Sequence, residues 1–205
     1  MMVYGLNRFS EDLDFTLLQK IDPKKLQSEI GKDLTLLGIS AQFGKFQEFE
    51  DGFSFRMGIQ GPLFRKELDR CYIYVEVSSR EKNLLPPFVH SFQPIYPDLL
   101  PFNGSILNKD EILAEKFRAL CTRKKARDLY DVDFLIKRQT QTTLTQINQK
   151  LAFYQQSFNI KTFAERIANF ASIWKEELNA FVIGQLSPFE DVLKNVLDYV
   201  GKVTP

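Results

Sequence analysis

The pattern of apolar and polar residues predicts β-strands in three segments of the first eighty residues. The segments cover residues 40–48, 53–60 and 71–78, and the third is the richest in β-branched and aromatic residues. Asp51 and Gly52, which separate the first two segments, favour a hairpin turn. The first eighty residues are therefore expected to contain a sheet.

Polar and apolar residues alternate along Arg8–Phe15, and this alternation predicts a further strand. On this strand the apolar residues Phe9, Leu13 and Phe15 would face the core. The opposite face would carry the polar residues Arg8, Ser10, Asp12 and Asp14. Between this strand and residue 40, Asp22 and Pro23 predict the start of a helix that ends near Gly38.

Residues beyond Gly104 show apolar positions at helical spacing. Asn108 is expected to cap the first of these helices, with Glu111 as the glutamate of a capping box. Further helices are predicted over residues 125–137, 143–154, 162–178 and 188–200.

Six prolines and glycines between Pro86 and Gly104 predict an irregular connection and a domain boundary. The predicted fold class is α/β (α+β), with a small mixed α/β domain over residues 1–104 and a helical domain over residues 105–205. An apolar stripe in the helical part is expected to be core rather than a partner surface. It consists of Phe158, Phe163, Ile167, Phe170, Ile173 and Trp174.

Composition narrows the chemistry. Lys and Arg total 27 and Asp and Glu total 26, so the net charge of +1 does not indicate a strongly basic nucleic-acid coat protein. One histidine and two cysteines disfavour multi-histidine metal sites, Cys-rich zinc sites and a disulfide framework. An enzyme of this composition would use carboxylates, lysines and hydroxyls. Neither a secretory signal nor a membrane span is evident, and a cytoplasmic location is expected.

Three carboxylates are candidates for a metal site. Asp12 and Asp14 project from one face of a predicted strand, and Glu76 interrupts an otherwise apolar strand. If the two strands are neighbours, the three side chains form a cluster that suits divalent cations. Alternatively, the aspartates are ordinary surface residues, and Glu76 lies on an edge strand or pairs with Arg8 or Arg80.

A second group combines cations and carboxylates. Lys116 leans toward the apolar side of its helix, which suits a polyphosphate ligand or a side chain that extends its amine into water. Arg127, Asp128 and Asp131 follow, and Arg127 can pair with Asp131 at i+4 in a structural network.

Together these segments resemble the AbiEii/AbiGii-type nucleotidyltransferases of the DNA polymerase β-like superfamily, which include toxins of abortive-infection and toxin–antitoxin systems. The resemblance rests on Arg8–Phe15, Glu76, Lys116 and Arg127–Asp131. It implies a small mixed-sheet nucleotidyltransferase domain followed by a helical bundle. It also implies transfer of a nucleoside monophosphate from an NTP to a hydroxyl of RNA, of which tRNA is the family's best precedent, or of protein.

The resemblance further implies roles for single residues. Asp12, Asp14 and Glu76 would hold two Mg²⁺ ions, one activating the acceptor hydroxyl and one stabilising the leaving pyrophosphate. Lys116 would contact the triphosphate, and Asp128 would orient Lys116 or the base. The expected nucleotide-binding residues also include Ser10, at a phosphate or a metal-bound water, and Arg127, in a supporting role.

One departure from the family pattern concerns the Gly-Gly-Thr or Gly-Ser turn about a dozen residues before the aspartates. Met1 lies eleven residues before Asp12, and the first domain is expected to be truncated at its N-terminus. Either the chain starts further upstream, or the gene is truncated, or the protein has lost this phosphate cradle. The alternative function is an inactive nucleotidyltransferase fold that binds nucleotide, RNA or an antitoxin. A cognate antitoxin is an expected partner for either function.

Overall fold

The computed structural model describes residues 2–10, 12–94 and 99–203. The chain divides into two compact units. Ser10–Lys82 forms one, here called the sheet unit, and Met1–Phe9 together with Asn83–Pro205 forms the other, the helical unit. The division therefore lies between Lys82 and Asn83 rather than at the predicted residue 104, and the first nine residues belong to the helical unit.

The sheet unit contains a four-stranded mixed sheet and one helix. Its elements are β1 (Asp12–Thr16), α1 (Pro23–Leu36), β2 (Ser40–Phe49), β3 (Gly52–Gln60) and β4 (Cys71–Ser78). The strand order is β1-β4-β3-β2, with β1 parallel to β4 and the remaining neighbours antiparallel. The predictions for α1, β2, β3 and β4 are confirmed to within two residues at each end.

Local sequence signals account for the ends of these elements. The Asp22 carboxylate accepts hydrogen bonds from the amides of Lys24 and Lys25, and Pro23 occupies the first turn of α1. Gly38 follows the helix with a φ of 71°, a left-handed conformation that glycine adopts without strain. These short-range interactions explain why α1 could be predicted from the sequence.

The core of the sheet unit lies on one face of β3 and β4. Phe53, Phe55, Val75 and Val77 are buried there, and Leu26 and Ile30 of α1 pack against them. This apolar layer covers the two central strands.

The strand β1 corrects two predictions. It begins at Asp12 rather than at Arg8, and Phe9, Leu13 and Phe15 are exposed by 62%, 43% and 54% rather than buried. Leu13 and Phe15 do share a sheet face with Val75 and Val77. They belong to the edge strand, however, and the apolar side chains of α1 cover the central strands.

A β-hairpin lies near the start of Asn83–Pro205, the second segment of the helical unit, where an irregular connection was expected. The strands β5 (Phe88–Phe92) and β6 (Phe102–Ile106) pair antiparallel. Phe92 stacks on Phe102 with ring centroids 4.7 Å apart, and the Phe92 ring lies over Gly104, where a Cβ would be 2.8 Å from it. The prolines of this region all lie outside the two strands, which pair through their backbones and through these aromatic contacts.

Six helices follow the hairpin in the described residues. They are α2 (Lys109–Thr122), α3 (Ala126–Lys137), α4 (Leu144–Ala152), α5 (Ile160–Ala168), α6 (Trp174–Leu178) and α7 (Phe189–Val203). The single helix predicted over 162–178 is broken into α5 and α6, because the chain turns at residues 169–173. None of the helices among the described residues is long and apolar enough to cross a membrane.

The predicted apolar stripe belongs to the core of these helices. Phe163, Ile167, Phe170 and Trp174 are at most 2% exposed, and the other two stripe residues pack against the same cluster. The stripe is therefore not available as a partner surface, as the sequence interpretation expected.

Residues 2–9 are tied to the helical unit by several contacts. The Tyr4 hydroxyl donates to the carbonyl of Leu107, the Phe9 amide to the carbonyl of Phe181, and the Ile183 amide to the carbonyl of Asn7. These bonds explain why the first residues group with the helices and not with the sheet that follows them in the chain.

Candidate functional site

The carboxylates Asp12, Asp14 and Glu76 share one face of the sheet. Asp14 of β1 lies directly opposite Glu76 of β4, and Asp12 lies opposite Tyr74. Paired residues on neighbouring strands project to the same side, with Cα atoms about 5 Å apart. The face opposite the apolar core therefore carries all three carboxylates, as predicted on the condition that the two strands are neighbours.

Glu76 lies on a central strand, so the edge-strand alternative is excluded. The Arg8 alternative is excluded too, because Arg8 pairs with Asp131. Glu76 is half-buried and has Asp14 on one side and the buried Ser54 on the other. The Ser54 hydroxyl accepts a hydrogen bond from the hydroxyl of Tyr74, at 2.7 Å.

The oxygen chemistry of this face suits a hard cation such as Mg²⁺. Among the described residues, however, no three acidic, histidine or cysteine side chains form a group ready to hold a metal ion. Mg²⁺ in nucleotide enzymes is commonly held by one or two carboxylates together with substrate phosphates. The paired carboxylates fit this second mode and do not form a complete protein cage.

Ser10 precedes β1 and is exposed. Its hydroxyl donates a long hydrogen bond of 3.3 Å to the carbonyl of Asp12. The hydroxyl is thus held beside the start of the strand that carries the two aspartates, within the same unit.

The helical unit contains a network of two buried carboxylates and three cations. Asp128 and Asp131 of α3 are both 0% exposed. Lys116 of α2 donates to both, with Nζ 3.0 Å from Asp128 and 2.7 Å from Asp131. Lys116 is thus held by two charges on the facing helix, and its side chain keeps 18% of its surface exposed.

Each carboxylate has an arginine as a second partner. Arg123 donates to Asp128 at 2.7 and 2.9 Å, and Arg8 donates to Asp131 at 2.7 Å through both Nε and Nη2. Two parallel N–H···O bonds of this kind fix the plane of the guanidinium against the carboxylate. The network therefore fixes the carboxylates from both sides.

These partners decide the charge state of the network. Burial alone would raise the pKa of Asp128, but hydrogen bonds from Arg123 and the charge of Lys116 lower the pKa to about 2. Burial alone would lower the pKa of Arg8, and its hydrogen bonds to Asp131 together with that negative charge raise the pKa instead. Both groups are charged at neutral pH.

The pairing of Arg127 with Asp131 is wrong. Asp131 takes Arg8 and Lys116 as its partners, and the Arg127 guanidinium lies 5.9 Å from the ring centroid of Phe181. A partner within the same helix is replaced by two partners from elsewhere in the fold. The sequence analysis missed the role of Arg8 because 123 residues separate it from Asp131.

A second buried ion pair was also missed. Lys150 of α4 donates to Glu111 at 2.6 Å and to Glu115 at 2.9 Å. Glu111 accepts the amides of Leu84 and Leu85 as well, so it is not the capping-box glutamate that its spacing predicted. The Glu111 carboxylate instead binds residues 84 and 85, just after the chain enters the helical unit at Asn83. Asn108 does cap α2, as predicted.

Comparison with protein families decides the ancestry of the chain. The family model described as nucleotidyl transferase AbiEii toxin, Type IV TA system, matches residues 1–195. The chain belongs to the AbiEii family. The match spans the carboxylate face of the sheet unit and the ion network of the helical unit, and it confirms the resemblance found in the sequence.

A solved structure shares this AbiEii fold. MenT4, a nucleotidyltransferase toxin from Mycobacterium tuberculosis H37Rv, superposes with a TM-score of 0.61 over 97% of this chain and 69% of its own, at 16% identity. The likeness confirms the mixed α/β fold predicted from the sequence. No curated protein matches the sequence significantly.

Proposed function

We propose that this AbiEii protein is a Mg²⁺-dependent nucleotidyltransferase that moves a nucleoside monophosphate from an NTP to a hydroxyl of RNA, tRNA-like in kind, or of a protein. The single observation that supports this most strongly is the strand register that sets Asp14 beside Glu76, with Asp12 on the same face. In the reaction the acceptor oxygen bonds to the α-phosphorus, pyrophosphate leaves, and the hydroxyl proton passes to solvent.

Asp12, Asp14 and Glu76 are the residues proposed to hold Mg²⁺, completed by phosphate oxygens of the substrate. When bound, the metal would neutralise charge on the phosphates and favour the ionised acceptor hydroxyl. The exposed Ser10 hydroxyl is proposed to donate to a phosphate or to a metal-bound water.

Lys116 is the proposed ligand of the triphosphate. The two carboxylates that it contacts restrict the position of its amine. Asp128 is proposed to orient Lys116 because it accepts a hydrogen bond from that amine. Arg127, half-buried on the same helix as Asp128, is proposed to support the nucleotide site.

We also propose an antitoxin as a partner, since the family is described by its toxins of type IV toxin–antitoxin systems. The second candidate function is a binding module without turnover. It is favoured by the lack of a three-ligand metal group among the described residues.

The test is transfer of label from an α-³²P-NTP to cellular RNA and protein with and without Mg²⁺. Asp12→Asn, Asp14→Asn and Glu76→Gln are each expected to lower the rate by about 100-fold or more, because each removes a charged metal ligand. Glu48→Gln is the matched control, since Glu48 is an exposed carboxylate on the opposite face of the same sheet.

Unchanged labelling in the three variants would reject the assignment of the site. NTP binding by calorimetry without transfer to any acceptor would favour the binding module instead.

A further inference from the structure

Arg56 extends the carboxylate face by one strand. On β3 it lies directly opposite Tyr74 of β4, which lies opposite Asp12 of β1. The Cα atoms of Arg56 and Asp12 are therefore two strand spacings apart, about 10 Å. Glu76 is the diagonal neighbour of Arg56, at about 7–8 Å between Cα atoms. An arginine side chain covers such distances easily.

Tyr72 holds the Arg56 guanidinium in place. The guanidinium carbon lies 4.3 Å from the centroid of the Tyr72 ring, which is the geometry of a cation–π contact. Gly58 lies opposite Tyr72, and a Cβ at that position would be 3.0 Å from the Tyr72 ring. Because Gly58 has no side chain, the Tyr72 ring has room to lie on this face of the sheet.

The charge of Arg56 is not neutralised within the described part of the chain. No carboxylate there forms an ion pair with it, although three lie on the same face. The neighbouring Arg70, by contrast, donates to both oxygens of Glu67, at 2.6 and 2.9 Å. A guanidinium offers five N–H donors, and a contact with a ring does not use the donors at its edge.

We infer that Arg56 binds a phosphate group of a substrate that lies on the carboxylate face. The inference rests on the proposed function for the identity of that substrate. The phosphate belongs either to the NTP or to the phosphodiester chain of an RNA acceptor. Both present pairs of phosphate oxygens that can accept two parallel N–H···O bonds from a fixed guanidinium.

The test measures binding without turnover. A non-hydrolysable α,β-methylene NTP with Mg²⁺ and a labelled single-stranded RNA oligonucleotide are titrated separately against the wild type, Arg56→Met, Arg56→Lys and Arg65→Met. Arg65 is an exposed arginine of the same unit, so its variant matches the change in charge. Arg56→Met is expected to lower the affinity for one of the two ligands at least tenfold, which is about the effect of one charged contact. Arg65→Met is expected to change either affinity less than about twofold.

Each outcome either identifies the molecule that supplies the phosphate group or rejects the inference. Weakened RNA binding, with a salt slope lower by about 0.7, assigns the phosphodiester chain. Weakened NTP binding assigns the triphosphate. Unchanged binding of both ligands, or an equal loss in Arg65→Met, overturns the inference.

Two further measurements separate this inference from other causes. Arg56→Lys keeps the charge and is expected to restore binding in part, which a loss of folding in Arg56→Met would not explain. Arg56-dependent binding in a wild-type protein that transfers no label would refute the proposed function and leave the phosphate contact standing.

Discussion

Asp128 and Asp131 show how single buried charges are kept in this protein. Both side chains are fully enclosed, and each accepts hydrogen bonds from Lys116 and from one arginine. A buried carboxylate without such partners would lose its hydration and ionise only at high pH. The same contacts that stabilise the carboxylates also fix the Lys116 amine, so stability and the proposed chemistry depend on one network.

The first prediction concerns the pH dependence of this network. Asp128 has a pKa near 3.8 when unfolded and about 2 when folded. A depressed carboxylate pKa contributes stability above the unfolded pKa, and the contribution is lost as the pH falls from about 4 to 2. From this shift the contribution is about 2 kcal/mol. Asp128→Asn is therefore expected to be less stable than the wild type by about 2 kcal/mol or more at pH 7.

The measurement is urea unfolding of both proteins between pH 7 and pH 2.5. The difference in free energy of unfolding is expected to narrow below pH 4, because the Asp128 carboxylate of the unfolded wild type then binds a proton that the folded protein does not bind. Asp198→Asn, which changes an exposed carboxylate of α7, is the control, with an expected effect below about 0.5 kcal/mol. A difference that is constant from pH 7 to pH 2.5 would contradict the assignment.

At the residue scale, helical spacing predicted which side of a helix a residue occupies, but it did not predict the charge partners. Lys116 was expected to lean toward the buried side of its helix, and it does so. The partners of Asp131 were not found, because a sequence shows pairs at i+4 and gives no sign of a pair such as Arg8 and Asp131.

At the scale of elements, the β2–β3 hairpin sets the register of the carboxylate face. Gly52 begins β3, pairs with Phe49 on β2 and Ser78 on β4, and has a φ of 155°. A Cβ at this position would overlap the carbonyl oxygen of Val77. This position therefore tolerates glycine alone, and Glu76 lies two residues before Ser78, the β4 partner of Gly52.

Gly52→Ala is accordingly expected to lower the free energy of unfolding by about 2 kcal/mol or more, since the backbone and β4 must both shift. Thermal unfolding measures the loss. Gly61→Ala is the matched control, because Gly61 lies in the same unit with no atom within 4 Å of the new methyl group. Equal melting temperatures for the wild type and Gly52→Ala would show that the register does not depend on this glycine.

The elements that were mispredicted share a cause. Prolines around β5 and β6 suggested a loop, and continuous helical spacing hid the break between α5 and α6. In both regions side-chain packing decides the backbone, through the Phe92–Phe102 stack and through the burial of Phe170 at the turn. Propensity scales describe neighbours in sequence and omit such contacts.

At the scale of the molecule, the chain crosses from one unit to the other at Phe9–Ser10 and at Lys82–Asn83. Next to each crossing, contacts within the helical unit hold the chain, and these contacts are here called anchors. The Arg8–Asp131 pair and the backbone bonds of Asn7 and Phe9 hold the first. The Glu111 carboxylate holds the amides of Leu84 and Leu85 beside the second.

Arg8→Ala is expected to loosen the first anchor without unfolding the sheet unit. The amides of Phe9 and Ile183, which bond across this anchor, should exchange hydrogen at least about tenfold faster. The Ser79 amide, which bonds to the Asp51 carbonyl within the sheet unit, is the internal reference and should keep its rate. Unaltered exchange at Phe9 and Ile183 would show that backbone bonds suffice to hold the segment.

The sequence by itself determined β2, β3 and β4, most helix ends, the shared face of Asp12 and Asp14, and the family. These features depend on side chains a few residues apart, whose periodicity and capping chemistry are visible in the chain. Only the tertiary structure decided that Arg8 pairs with Asp131, that Glu111 holds Leu84 and Leu85, that Phe15 is exposed, and that Arg56 joins the carboxylate face. Burial and charge pairing are set by packing between distant segments, where the loss of hydration selects the partner that the folded chain brings nearest.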